Sequence, residues 1–245
     1  MGPGSLRPVD PIPAPTSAPT SAPPTAAVRT DAPVERIALD DTSWVEVVRG
    51  WLTDSDHVYR ILVERASWEQ GRVFRYDRWV DEPRLSGWVR PGPGVPHPVL
   101  TDLHRSVQHR CRVRFDGFAL AWYRDERDGV AFHRDRELRW LDDTRIAVLT
   151  LGAQRPFLMR PRAHRHRHRH GHGHGDELGG ATHDLAPAGG DLLIMGGRCQ
   201  ADWEHAVPRV AGAVGGRISL QWRWTARRGR PERGPGYRAP RTFSR

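Results

Sequence analysis

Between residues 112 and 224 the chain alternates apolar and polar side chains in eight short runs: RVRFDGFALAWY, VAFHRD, RIAVLTL, PFLMR, THDLA, DLLIMG, EHAVP and RISLQWRW. A period of two sends successive side chains to opposite faces, which marks a half-buried strand. Gly, Pro or charged residues punctuate the runs, and no helical pattern separates them. Short strands in such succession build a sandwich or barrel rather than alternating β/α units. The expected fold is mainly β with flanking helices (α+β): a double-stranded β-helix, or jelly roll, of about eight strands with N-terminal helices packed on one side.

Those helices precede the strands. From Trp44, VEVVRGWL and then DSDHVYRILVERASW read as amphipathic helix, with Val58, Ile61, Leu62 and Val63 on one side and Asp54 or Ser55 as the cap. RVFRYDRWV and LSGWVR read as short strands parted by a turn around Pro83, and PVLTDLHRSVQHRC as a second helix. Residues 1–34 are Pro, Ala, Thr and Ser in loose repetition, and residues 226–245 carry seven Arg against one Glu. Neither end has a periodic apolar face, so both read as flexible tails around a domain at 35–225.

Inside that domain, AHRHRHRHGHGHGDE at residues 163–177 sets six of the thirteen histidines on alternate positions. Histidine is the commonest metal ligand, yet a site needs ligands held by a packed scaffold. No apolar residue lies between Ala163 and Leu178 to supply one. The run reads as a solvated loop insertion with adventitious affinity for Zn, Ni or Cu, and the metal that matters is to be sought elsewhere.

Charge adds a second constraint. The net charge is +9, and every one of the 38 basic residues is Arg. Guanidinium forks bind phosphate bidentately, so such a surface favours nucleic acid. No apolar run approaches the ~20 residues of a membrane span, and no secretory signal opens the chain. Two cysteines, Cys111 and Cys199, suit a reducing cytoplasm without disulfides. A cytoplasmic monomer with no membrane partner is expected.

The chemistry gathers in two of the strand runs. In VAFHRD, His133 and Asp135 stand two apart, so both side chains leave one face. CQADWEHAVP supplies His205 from another strand. Two His and one carboxylate, with positions left open, form the facial triad of non-haem Fe(II) oxygenases. RISLQWRW then puts Arg217, Ser219, Gln221 and Arg223 on one face and Ile218, Leu220, Trp222 and Trp224 on the other. Two guanidinium groups backed by large apolar residues need an anion, and a bound dicarboxylate would satisfy them.

These residues resemble the AlkB-type Fe(II)/2-oxoglutarate-dependent dioxygenases that repair alkylated nucleic acids. The likeness runs from PRLSGW at residue 83 to RISLQWR at 217–223, and AWYRDERDGVAFHRDREL is its strongest part. It implies that His133, Asp135 and His205 bind Fe(II). It implies that Tyr123 hydrogen-bonds 2-oxoglutarate, that Arg217 pairs with its distal carboxylate, and that Ser219 and Arg223 line the same pocket. Glu137 matches the acidic residue placed beside the target base. Trp88 is either the aromatic wall of that base pocket or a core residue. Ala121 and Ser219 stand where the family usually has Asn; Ser219 keeps one hydrogen bond and Ala121 none, which bears on co-substrate affinity rather than on iron.

The activity so implied is oxidative demethylation of bases such as 1-methyladenine and 3-methylcytosine, in DNA or RNA, single-stranded or duplex. It consumes Fe(II)-activated oxygen and 2-oxoglutarate and releases formaldehyde and succinate. A lesion on the pairing edge must be flipped out of a duplex, at a cost lowered by its poor pairing. Two other readings stand beside this one. A dioxygenase of similar fold acting on a protein or small molecule would not need the basic surface, and a non-catalytic metal binder built around the histidine run would not turn over 2-oxoglutarate.

Overall fold

The computed structural model of the protein describes residues 25–75, 77–135, 138, 142–162 and 181–224. The chain enters through β1 (Val34–Ala38) and β2 (Ser43–Val48), then α1 (Ser55–Arg65), β3 (Glu69–Arg75), β4 (Arg78–Val89) and α2 (Val99–Cys111). The jelly roll follows as β5 (Phe118–Tyr123), β6 (Val130–His133), β7 (Thr144–Gly152), β8 (Leu158–Pro161), β9 (His183–Asp184) and β10 (Leu192–Gly197). The four-residue α3 (Cys199–Asp202), β11 (Trp203–Val207) and β12 (Arg217–Arg223) complete it. All eight runs read from the sequence are strands.

They divide equally between two antiparallel sheets. The large sheet has the order β1-β2-β10-β7-β12-β5-β4-β3, and the small one β6-β11-β8-β9. Helices α1 and α2 cover the outer face of the large sheet, where Val58, Leu62, Leu100, Leu103 and Val107 pack with Leu149, Leu151, Leu220 and Trp222. Its inner face meets the small sheet through Val45, Val47, Ile146, Val148, Leu193, Phe157, Met159 and Val207. With both faces covered, β7 and β10 are apolar nearly throughout, as IAVLTL and LLIM show.

Two sequence expectations need correction. VEVVRGWL is not helical: its first half belongs to β2, which pairs with β1 on one side and β10 on the other. Apolar residues at 45, 47, 48, 51 and 52 mimic helical spacing only because the strand is buried on both faces and the following turn also tucks inward. Nor does a turn fall at Pro83. The turn lies at Asp77, in the left-handed region with φ 58°, and Pro83 sits inside β4 where the register with β3 shifts between Gln70 and Arg72. An irregularity tolerates a residue that cannot donate to the ladder. Of the two proposed caps of α1, Asp54 and Ser55, Asp54 occupies the N-cap position, with φ 48° and without a side-chain cap bond.

Packing begins before residue 35: Ala26 and Ala32 are buried, and Val28 bridges to Leu52. Residues 1–24 and 225–245 and the histidine run lie outside the described residues. The strands on either side of that run, β8 and β9, pair directly, Leu158 with Asp184 and Met159 with His183. Among the described residues no helix is long and apolar enough to cross a membrane.

One polar staple joins the first strands to the site. The Asp40 carboxylate, in the β1–β2 turn, accepts from Thr42 N at 2.8 Å, Thr42 Oγ1 at 3.0 Å, Ser43 N at 2.7 Å and Trp203 Nε1 at 2.6 Å. Burial pushes the Asp40 carboxyl up, but the donors of Trp203, Thr42 and Ser43 outweigh it and hold it at about 2. A carboxyl depressed by folding contributes stability that is present above the ordinary value of 3.8 and is lost as pH falls toward 2. Asp40→Ala is therefore expected to cost about 1 kcal/mol at neutral pH, discounted for partial exposure. Thermal melts should show a fall in Tm of about 2–4 °C, shrinking as pH drops from 4 to 2. A melting temperature unchanged at pH 7 would remove the staple from the account.

Candidate active site

The small sheet brings the three metal-binding candidates together. His133, the last residue of β6, is the direct cross-strand partner of His205 on β11, and their ring centroids lie 4.4 Å apart. Asp135 follows two residues beyond the end of β6. One possible ligand atom from each of the three lies within 4.8 Å of the others. Asp135 and His205 are buried and His133 half-buried.

The surroundings prepare these groups for a cation. The His133 Nδ1 stands 2.9 Å from the Ala131 carbonyl; a carbonyl only accepts, so Nδ1 carries the proton and Nε2 is left with its lone pair. Phe157 stacks parallel to His205 at 5.6 Å. Burial pushes His205 down to about 3, which keeps the ring neutral near pH 7, as a ligand must be. Burial works to raise the Asp135 carboxyl, but the charge of Arg223 foremost, with His205, His133 and the Arg223 hydrogen bond, holds it well below the usual carboxylate range. The Arg223 Nε–Asp135 Oδ1 distance is 3.0 Å. Arg223 thus meets the His133–Asp135–His205 cluster itself, besides sharing a strand face with Arg217.

The large sheet supplies the facing wall. In the β5–β12 ladder Tyr123 pairs with Arg217 and Ala121 with Ser219. Cross-strand partners share a face, and all four are buried, Arg217 completely. The two positions that depart from the usual Asn thus stand opposite each other. Arg217 is no rim residue. Its Nη2 donates to Thr150 Oγ1 at 3.1 Å and its Nη1 to the Arg155 carbonyl at 3.3 Å.

The Arg217 Nε and Ser219 Oγ have no hydrogen-bond partner among the described residues, and no carboxylate there comes within ion-pair distance of Arg217. Desolvation pushes the guanidinium down to about 10. A buried cation lacking a counter-charge, beside an orphaned hydroxyl, fits a carboxylate-bearing ligand.

Two polar residues at the site carried no signal in the sequence reading. Arg155, 1% exposed, donates to the carbonyls of Asp125, Asp128 and Pro208 at 3.0, 2.7 and 2.8 Å. It ties the β5–β6 loop to the end of β11 beside Arg217. Gln200, on α3, is wholly buried and accepts from the Asp135 N–H at 2.7 Å. Arg155 follows β7 in an aperiodic segment and Gln200 lies in the short CQAD stretch before His205, and nothing local marks either.

The base-side candidates fare differently. Trp88 pairs with Ala119 and so shares the sheet face of Ala121 and Tyr123, but it is 59% exposed, which removes the core alternative. On the same hairpin Phe74 and Trp79, 59% and 60% exposed, meet edge to face at 5.7 Å. Glu137 lies outside the described residues.

The chain is similar in sequence to known proteins. The family model of the 2OG-Fe(II) oxygenase superfamily matches residues 64–223. The alpha-ketoglutarate-dependent dioxygenase alkB homolog 3 of Mus musculus is 30% identical over 187 residues, 70% of this chain and 62% of that protein. The DNA oxidative demethylase ALKBH2 of Arabidopsis thaliana is 31% identical over 128 residues, 45% of this chain and 38% of that one. The chain thus spans less than two thirds of these relatives. A prolyl hydroxylase from Trichoplax adhaerens, solved with a hypoxia inducible factor peptide, has 14% identity and a TM-score of 0.49 over 74% of this chain and 83% of its own.

Proposed function

The chain belongs to the 2OG-Fe(II) oxygenase superfamily, and from that premise we propose that it oxidatively dealkylates bases in nucleic acid. The observation that carries the oxygenase chemistry is the completely buried Arg217, with an unpaired Nε, on the wall facing the His133–Asp135–His205 cluster. The names of the relatives direct it to nucleic acid, as do the exposed Trp88 on the site's sheet face and the net charge of +9.

In this reading His133, Asp135 and His205 hold iron, and Tyr123, Arg217, Ser219 and Arg223 hold 2-oxoglutarate. Iron and 2-oxoglutarate, when bound, would supply the activated oxygen that oxidises an N-alkyl group and releases it as formaldehyde from the base. The protein's own work is placement. Arg217 fixes the distal carboxylate by a forked contact, and Tyr123 orients it from the neighbouring strand. Arg223 keeps Asp135 ionised and aimed. Trp88 offers a face on which an extruded base stacks, and Glu137 accepts from its polar edge. The protein acts as a cytoplasmic monomer, its thiols Cys111 and Cys199 free and buried.

The decisive experiment is succinate formation coupled to methylated oligonucleotides, supplied with Fe(II) and ascorbate. Turnover dependent on 1-methyladenine or 3-methylcytosine supports the proposal, whereas 2-oxoglutarate consumption indifferent to the oligonucleotide sinks its substrate assignment. Because β8 and β9 pair directly, the run between them is expected to be dispensable for chemistry. A short Gly/Ser linker in place of residues 164–174 should leave turnover within about threefold, since loop closure depends weakly on length. Loss of Arg165, Arg167 and Arg169 should flatten the salt dependence of DNA binding by a slope of up to about 3. Loss of turnover in a folded variant would place the run inside the active site.

A further inference from the structure

Strand β6 stops at His133, so the Asp135 backbone N–H lies beyond the ladder and needs another acceptor. It finds the Gln200 Oε1 at 2.7 Å. The amide nitrogen of the same side chain lies 3.5 Å from His205 Nδ1, an outer-limit contact by hydrogen-bond geometry. One fully buried side chain thus touches both segments that bring ligand candidates to His133.

Its base is firm. The Gln200 N–H donates to Thr144 Oγ1 at 3.4 Å, and the N–H groups of Ala201 and Asp202 donate to the Arg198 carbonyl at 2.8 and 2.9 Å. The Arg198 guanidinium is in turn paired with Asp202 at 2.7 Å and with Asp142. Gly197, with φ 63°, allows the chain to leave β10 and enter this corner directly.

We propose that Gln200 is a positioning residue of the metal centre, setting the separation of Asp135 from His205 before any metal arrives. The proposal rests on the reading of His133, Asp135 and His205 as the metal site. The side-chain oxygen suits the task because it holds the backbone N–H of one ligand segment, while the rest of the side chain stands against the ring of the other. A methionine of similar length would leave a buried N–H unpaired, free Asp135 to drift, and make the metal gather its own ligands.

The test is Mn(II) binding to the metal-free full-length chain, with the binding that survives in His205→Ala subtracted so that the histidine run does not enter. Gln200→Met is expected to weaken the His205-dependent binding by about 10–100-fold. Gln200→Glu keeps an oxygen opposite the Asp135 N–H and is expected to bind at least about tenfold more tightly than Gln200→Met. Hydrogen exchange at the Asp135 amide should be slow in the wild type and in Gln200→Glu and fast in Gln200→Met, a change that general destabilisation would not confine to one amide.

Wild-type affinity in a folded Gln200→Met overturns the proposal, and so does Gln200→Glu binding no tighter than Gln200→Met. Should Gln200→Met fail to fold, Gln200→Glu decides: affinity within about tenfold of wild type supports the role, and a larger loss overturns it. If His205→Ala binds Mn(II) as the wild type does, the metal-site reading falls and carries the proposal with it. That result is distinct from normal dependence on His205 with indifference to Gln200.

Discussion

His205→Ala is expected to abolish dealkylation, with turnover down at least about a thousandfold, while the chain remains folded. The reasoning starts from β11. His205 is the cross-strand partner of His133 and is buried under Phe157, so alanine there leaves the cluster one ligand atom short. A bound metal supplies several kcal/mol of its reaction's transition-state stabilisation, and losing about 4 kcal/mol corresponds to that thousandfold. Alanine leaves a small cavity between Phe157 and Gln200, at a cost the two-sheet core can bear, since the ring it replaces was itself polar and desolvated. Succinate formation on a methylated oligonucleotide, read beside circular dichroism, checks both halves. Full turnover would remove His205 from the centre.

Arg217→Lys carries the second large effect. Lysine keeps the charge on β12 but loses the planar fork, and with it the simultaneous reach to Thr150 Oγ1, the Arg155 carbonyl and a ligand carboxylate. A charge-assisted hydrogen bond is worth about 1.5–3 kcal/mol, so the apparent KM for 2-oxoglutarate is expected to rise about 10–100-fold. The value of kcat at saturating co-substrate should move much less, because the substituted side chain touches neither metal nor base. An unchanged saturation curve would take Arg217 out of the pocket.

The parts of this molecule that the sequence made legible are those in which one physical rule acted alone. Most of the eight jelly-roll strands alternate, while β7 and β10 are short apolar runs covered on both faces, and Gly, Pro and charge punctuate the connections between them. RISLQWRW could be split into its two faces by counting alone, and the ladder with β5 then set Arg217 opposite Tyr123. Where two rules overlapped the reading slipped. VEVVRGWL is buried on both sides of its strand, so its apolar positions lost their period. Pro83 signals a turn by composition, yet a shift of register inside β4 accommodates it. Arg155 and Gln200 were beyond reach for another reason: each works through contacts with backbone brought from elsewhere, at Asp125, Asp128 and Pro208 for one and Asp135 for the other.

The division of the eight strands between two sheets has a thermodynamic consequence. His133 and His205 stand on the small sheet, with Asp135 just past the end of β6, whereas Tyr123, Arg217 and Ser219 belong to the large one. Metal and co-substrate together would rivet one layer of the sandwich to the other. Any ligand that binds only the closed sandwich adds RT ln(1 + [L]/Kd) to its stability, about 2.7 kcal/mol at a hundred times Kd. Saturation should then act as a clamp, raising the temperature at which the layers part. Separation of the layers and loss of the site become one event, so the ligands that make the chemistry work also report, by their hold, whether the sandwich is shut.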